Sequence, residues 1–230
     1  MPRKASCKAV IICDGAPAMP AKRKLAEHFV RKGYWVFHVR YRGTWESKGE
    51  FLKHSPAQDI DDVIGAISSG FQDVYSGTHY FVELEEVVVV GASFGGAAAI
   101  LAARNPKVTK VVAIAPVVDW RIETKTEPFA EFVHQLTAGF PGAYRAQDKN
   151  FKKLLTKRFY NPVDWAHKLD GRKLFLAHAK DDPSVPFGPT KKLAKKIHAT
   201  YVEYKTGGHL SSSMVLDKKL RPRIERFLKS

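Results

Sequence analysis

The chain has 230 residues, 44% hydrophobic and 27% charged, with a formal net charge of +15. At that length one domain can bury roughly 75% of the surface its unfolded form exposes, and the balance of apolar to charged residues excludes a disordered chain and any dependence on disulfides or structural metal. The charge is uneven: residues 1–144 hold 17 Lys and Arg against 15 Asp and Glu, and residues 145–230 hold 21 against 8.

A basic half of this kind could attract nucleic acid, an anionic membrane or acidic substrates. Its most concentrated lysines, Lys191, Lys192, Lys195 and Lys196, follow the spacing of one solvated helix face. Neither a zinc-finger spacing nor an RNA-binding signature stands beside them, so no obligatory nucleic acid is expected. The two cysteines, Cys7 and Cys13, would lie about 20 Å apart on one extended segment, too far for a bridge. Free thiols and a reducing, cytoplasmic compartment are the expectation. The basic start (Arg3, Lys4, Lys8) leads into an apolar run too short for a secretory signal.

In chain order, Lys8–Cys13 reads as a strand that runs into Asp-Gly-Ala-Pro. Leu25, Ala26, Phe29 and Val30 give residues 21–32 a helical apolar face that Gly33 closes. Residues 34–39 form the next strand, completing a right-handed βαβ unit with parallel pairing. A polar, glycine-containing loop, 40–55, has a length that suggests a function beyond connection. Pro56 opens a helix with apolar residues at Ile60, Val63, Ile64 and Ile67. Residues 70–86 carry no clear period.

Residues 87–103, VVVVGASFGGAAAILAA, then read as a buried strand, a sharp turn and a small-residue helix. Their uncharged length only touches the lower limit for a membrane span and is broken by glycines, so no span is expected. Later strands are expected at 111–115, 173–178 and Thr200–Tyr204. Helices are expected at 190–198 and 212–228. Alternation over the whole chain predicts a three-layer α/β fold with a mostly parallel sheet of about six strands and helices on both faces. The long interval 116–171 breaks the rhythm with nine aromatic residues from Trp120 to Trp165. We read 1–230 as one domain with a small helical cap inserted at about 119–170, above the strand ends where ligands of such sheets bind.

The turn at 91–95 is G-x-S-x-G, which lifts a hydroxyl clear of the strand end, and Ser93 is the candidate nucleophile. A serine hydroxyl needs a base, and the base needs a carboxylate to fix its tautomer. His209 follows the last strand on a Gly-Gly turn and is the leading base, with His178 as competitor. The candidate acids are Asp181 and Asp182 after the fifth strand and Asp119 after the fourth. Two backbone N–H groups must face the oxyanion, and Phe94 and Ala16 are the candidates, since Pro17 has none to donate. No histidine and carboxylate cluster has metal-ligand spacing, so neither metal nor cofactor is expected.

These residues resemble the α/β-hydrolase superfamily over nearly the whole chain. GASFGG (91–96) is similar to its nucleophile elbow, HAKDDPSVP (178–186) to its H-G-x-x-D-x-x-V-P acid loop, and GGH (207–209) to its histidine loop. Tyr41-Arg42-Gly43-Thr44, followed by Gly49-Glu50-Phe51, resembles the R-G-S/T-x-x-S-x-G-x-F loop of the dienelactone hydrolase and prolyl oligopeptidase branch.

The resemblance implies Asp182 as the acid, and with it a serine hydrolase working through an acyl-enzyme. A small or medium acyl ester is the leading substrate, with peptide or thioester as alternatives. Tyr41, Arg42, Trp120 and Phe140 are the residues expected at the substrate pocket. The departures are Asp14 where such enzymes often have histidine before glycine, Ala179 for the glycine after His178, and Ser93 where dienelactone hydrolases carry cysteine. Set beside the superfamily, these 230 residues are expected to hold no propeller, and their first strand to correspond to the superfamily's third. The contrasting class is a basic binding protein that keeps the fold without catalysis.

Overall fold

The computed structural model describes residues 1–2, 4–124 and 126–230. Arg3, part of the basic start, and Lys125, inside the 119–170 insertion, lie outside the described residues. The chain opens with β1 (Lys8–Cys13), α1 (Arg23–Arg31), β2 (Trp35–Val39) and α2 (Pro56–Ser69). The aperiodic stretch after α2 forms a small antiparallel hairpin of β3 (Phe71–Gln72) and β4 (His79–Tyr80). Then come β5 (Glu86–Ala92), α3 (Phe94–Ala102) and β6 (Lys110–Ile114). The insertion holds α4 (Phe129–Ala138), α5 (Asp148–Lys152) and short 3-10 turns. After it follow β7 (Leu174–Ala179), α6 (Phe187–Ile197), β8 (Thr200–Tyr204) and α7 (Arg221–Leu228).

Six strands make one parallel sheet in the order β2-β1-β5-β6-β7-β8. The run of valines explains why β5 lies inside it, between β1 and β6. Val87 and Val89 face a core built with α2, α3, α6 and the insertion, while Val88 and Val90 face one built with α1 and α7. All four are fully buried, and a strand apolar on both faces is stable only between two helical layers. Along α6 the lysines at 191, 192, 195 and 196 are exposed while Leu193, Ala194 and Ile197 are buried, the amphipathic division expected of a surface helix. Among the described residues no helix is long and apolar enough to cross a membrane.

The expected helix at 212–228 is corrected to a 3-10 turn, Ser212–Leu216, followed by α7. The Asp217 carboxylate accepts the N–H groups of Lys219 and Leu220 at 2.9 and 3.0 Å, competing with helical pairing. Pro222 then suits a new first turn rather than a helix interior. Similarly, α6 begins at Phe187, three residues before the expected 190, directly after Pro186.

The long loop 40–55 ties the insertion to the body of the molecule. Trp45 and Phe51 donate their N–H groups to the carbonyls of Ala143 and Arg145 at 2.9 and 2.7 Å, and Arg145 returns a bond to Gly43 at 2.8 Å. Asn150, 1% exposed, donates to Glu50 at 2.7 Å. Backbone groups that would otherwise be buried without partners are satisfied across this seam.

Candidate active site

The elbow is a place where three backbone segments meet with no room for side chains. A Cβ on Gly91 would come within 2.1 Å of the Gly95 carbonyl oxygen, and one on Gly95 within 2.3 and 2.4 Å of the carbonyl oxygens of Cys13 and Asp14. Only glycine permits the end of β5, the start of α3 and the end of β1 to touch. Between these two glycines Ser93 adopts φ 53°, a left-handed conformation costly for a side-chain residue and sustained by its surroundings. Its N–H donates to Ile114 at 3.0 Å, and its carbonyl accepts from Gly96 at 3.0 Å and Val117 at 3.1 Å.

Phe94 begins α3, where the first N–H groups have no partner within the helix. Its ring is fully buried against Tyr41, Phe51, Trp120 and Tyr160, and its carbonyl accepts the Tyr160 hydroxyl at 2.8 Å. The loop after β1 lies beside the serine: a Cβ on Gly15 would be 3.7 Å from that of Ser93. Asp14 at the head of this loop meets His38 Nε2 at 2.6 Å and Lys22 Nζ at 3.5 Å. The Tyr41 hydroxyl donates to the Asp14 carbonyl at 3.1 Å.

On the other side, Asp182 Oδ2 lies 2.8 Å from His209 Nδ1 and 3.1 Å from His178 Nε2. Its second oxygen accepts the N–H groups of Ser184 and Val185 at 3.0 and 2.9 Å. Burial alone would push this carboxyl up, but hydrogen bonds from His178, His209 and the Val185 N–H outweigh it and hold Asp182 well below the usual carboxylate range. The pair is therefore an ionised acid against the Nδ1 side of an imidazole. Nε2 remains as the nitrogen available to a proton donor.

His178 is completely buried. Its Nε2 also faces the Val185 carbonyl at 3.0 Å, and a carbonyl only accepts, so this nitrogen carries the proton. Nδ1 meets Thr190 Oγ1 at 3.2 Å. His178 is thus a structural partner of the acid. Asp181, the neighbouring carboxylate, accepts the N–H groups of Gly207 and Gly208 at 3.1 and 2.9 Å. Asp119 pairs with Arg121 at 2.6 Å, and Arg121 reaches Asp164 in the insertion at 3.0 Å.

Ser93, His209, Gly15 and Ala16 line one cavity of about 350 Å3 together with the apolar Val118, Trp120, Phe129 and Phe132. Of the residues expected at the substrate pocket, Trp120 lines it, while Tyr41, Arg42 and Phe140 do not. Tyr41 is turned into the core under the elbow, 3% exposed. Arg42 is drawn away by Asp59 and by Asp62, the latter at 2.6 Å. The Phe140 ring meets Trp45 and Tyr144 edge to face, with centroids 6.3 and 6.2 Å apart. Of the nine aromatic residues in the interval, three reach the cavity; Tyr160 packs on Phe94, Trp165 lies against Arg104 just after α3, and Phe140, Tyr144 and Phe151 meet the 40–55 loop. Among the described residues, no three of His, Cys, Asp and Glu are grouped to hold a metal ion.

The model of the prolyl oligopeptidase family matches residues 22–218. The chain belongs to this family. It is accordingly a hydrolase of the α/β class. Among curated proteins none matches the sequence. Solved structures are similar at low identity and show the shared fold. An esterase of Pyrococcus furiosus is 18% identical, with a TM-score of 0.69 over 97% of this chain and 82% of its own. Acetyl xylan esterase 1 of Thermoanaerobacterium is 16% identical, with a TM-score of 0.68 over 99% of this chain and 76% of its own. The acylaminoacyl peptidase of Pyrococcus horikoshii is 17% identical, with a TM-score of 0.66 over 100% of this chain and 39% of its own.

Sequence reasoning named His178, Asp181 and Asp182 but not the bonds among them. The place of His178 in an apolar run suits the structural role it has here, and its contact with Asp182 is made four residues on, across the end of β7. The bonds from Asp181 to the Gly207-Gly208 turn carried no sequence signal, because they join loops 26 residues apart.

Proposed function

We propose that the protein hydrolyses carboxylic esters through an acyl-enzyme, with Ser93 as nucleophile, His209 as base and acid, and Asp182 as the carboxylate that orients the histidine. The observation that carries this reading is the 2.8 Å contact between His209 Nδ1 and Asp182, made at the cavity that the strained Ser93 also lines. Ser93 Oγ attacks the ester carbonyl carbon while His209 Nε2 takes the hydroxyl proton. Negative charge moves to the carbonyl oxygen, and the N–H groups of Phe94 and Ala16 are the donors we assign to it. Collapse breaks the bond to the alcohol, which leaves with the proton from His209. Water then attacks the acyl-enzyme by the same proton route and frees the acid and Ser93.

The apolar wall of Val118, Trp120, Phe129 and Phe132 suits a small or medium acyl group. We read residues 119–170 as a cap on a single α/β unit, and the free Cys7 and Cys13 fit a cytoplasmic protein. A peptidase is the second reading, favoured by the family's name and by the likeness to an acylaminoacyl peptidase.

A fluorophosphonate probe, followed by a chain-length series of aryl esters and matching peptide amides, separates the readings. Labelling that disappears in Ser93→Ala, with turnover of short esters well above that of amides, supports the esterase. Faster turnover of amides would establish the peptidase, and equal turnover by wild type and Ser93→Ala would sink both.

A further inference from the structure

Strands β7 and β8 end side by side, and their last rung is the bond from Lys180 N–H to the Tyr204 carbonyl at 2.9 Å. Beyond it the two chains become loops, one carrying Asp181-Asp182 and the other Gly207-Gly208-His209. No further strand pairing holds the second loop, and its glycines have φ 153° and 60°, regions where a residue without a side chain moves freely. Gly208 has no neighbour within 4 Å of where a Cβ would stand. Gly207 is packed, since a Cβ there would meet Leu210 Cδ2 at 2.9 Å and Ala179 Cβ at 3.6 Å, so the open part of the turn is Gly208, next to His209.

The Asp181 carboxylate fills this gap with one oxygen on each amide: Gly207 N–H donates to Oδ2 at 3.1 Å and Gly208 N–H to Oδ1 at 2.9 Å. Two adjacent amides held by the two oxygens of one planar group fix the orientation of the peptide between them. The next residue is His209, whose ring is held by Asp182. Adjacent carboxylates of one loop thus grip adjacent parts of another, the first its backbone and the second its imidazole.

We propose that Asp181 is a positioning residue for His209, aiming Nε2 at Ser93 by fixing the Gly207-Gly208 backbone. The proposal rests on the reading of His209 as the base. Asp182 holds the ring only at Nδ1 and does not itself fix the backbone that carries it. The second anchor, Asp181, fixes that backbone. An error of about 1 Å in a reacting group costs on the order of a hundredfold in rate, so an exposed ion–amide contact can matter more for turnover than for stability.

The test compares wild type, Asp181→Ala and Asp181→Asn for turnover of 4-nitrophenyl butyrate, inactivation rate by a fluorophosphonate and thermal midpoint. The alanine variant is expected to lose about tenfold to a hundredfold in kcat and in labelling rate, with KM within twofold and an unchanged midpoint. The asparagine variant, which keeps one accepting oxygen, should fall between it and wild type. A kcat for Asp181→Ala within twofold of wild type would overturn the proposal. So would a loss that appears only in KM or only alongside a lowered midpoint. Ser93→Ala and His209→Ala run in parallel separate the two failures: if these retain turnover the assignment of the triad is wrong, and if they lose it while Asp181→Ala does not, only the positioning role is wrong.

Discussion

Ser93 stands on a turn whose flanking glycines would press a methyl group to 2.1–2.4 Å from backbone oxygens, whereas His209 stands after Gly208, which faces open space. The serine side is held by steric contact among three buried backbone segments. Its counterpart across the cavity is held by carboxylates: Asp181 on backbone amides, Asp182 on the ring, and His178 buried behind Asp182. Steric fixation cannot be adjusted without disturbing the fold, while an ionic grip on a loop can be weakened with the fold intact. The two halves of the site are therefore expected to fail in different ways.

The largest expected effect is at the two residues we propose as nucleophile and base. Ser93→Ala and His209→Ala should each lower ester turnover by at least about a thousandfold while circular dichroism and thermal midpoint stay as in wild type. Next is Asp182→Asn, expected to reduce kcat by about a hundredfold to ten-thousandfold, measured in the steady state at neutral pH. The same variant tests the ionic grip by pH. Asp182 is held below the usual carboxylate range when folded, so the folded form binds fewer protons than the unfolded chain in acid. Its contribution to stability is present above about pH 4, the unfolded value, and is lost as pH falls through the folded one. The stability curve of Asp182→Asn should be flatter on the acid side, as chemical denaturation across pH 2–6 would record. For the same reason, protonation of Asp182 should cause no loss of wild-type activity between about pH 5 and 8.

Gly95→Ala puts the contrast on the other half. The added methyl meets two backbone carbonyls that have no flexible end to move aside, and the expected cost is about 3 kcal/mol of stability, read from the denaturant midpoint. Should this variant instead keep its stability and lose only turnover, the steric account of the serine side is wrong. The smallest effect belongs to Tyr160→Phe, which removes the buried hydroxyl donor to the Phe94 carbonyl. A loss of about 1 kcal/mol is expected, with kcat within a few fold.

Much of this was legible in residue order. The four inner strands of the sheet followed from apolar runs, because a strand covered on both faces must be apolar throughout, while the edge strands β2 and β8 are half-buried and carry polar residues. The elbow followed from glycines that nothing else at a strand end would require. The acid was narrower: Asp181 and Asp182 are chemically alike in sequence, and only the D-x-x-V-P resemblance separated them. The pocket residues were the weakest reading. Tyr41 and Arg42 lie in a loop whose length suggested a function, and Phe140 in an aromatic insertion expected above the strand ends; in the structure the loop and the insertion instead close the seam between insertion and body. Sequence periodicity does not extend to such irregular segments, and their partners are about 100 residues away.

The sequence alone determined a parallel α/β sheet with Ser93 at the end of its inner strand, since valine runs, the small-residue helix and the glycines between them are local requirements. Which carboxylate meets His209, which one holds the loop beneath it, and which aromatic rings wall the cavity were decided by tertiary structure. Those relations depend on where β7 and β8 end side by side and on how the insertion folds against the 40–55 loop. Such contacts form between segments distant along the chain, and no local pattern encodes their distances.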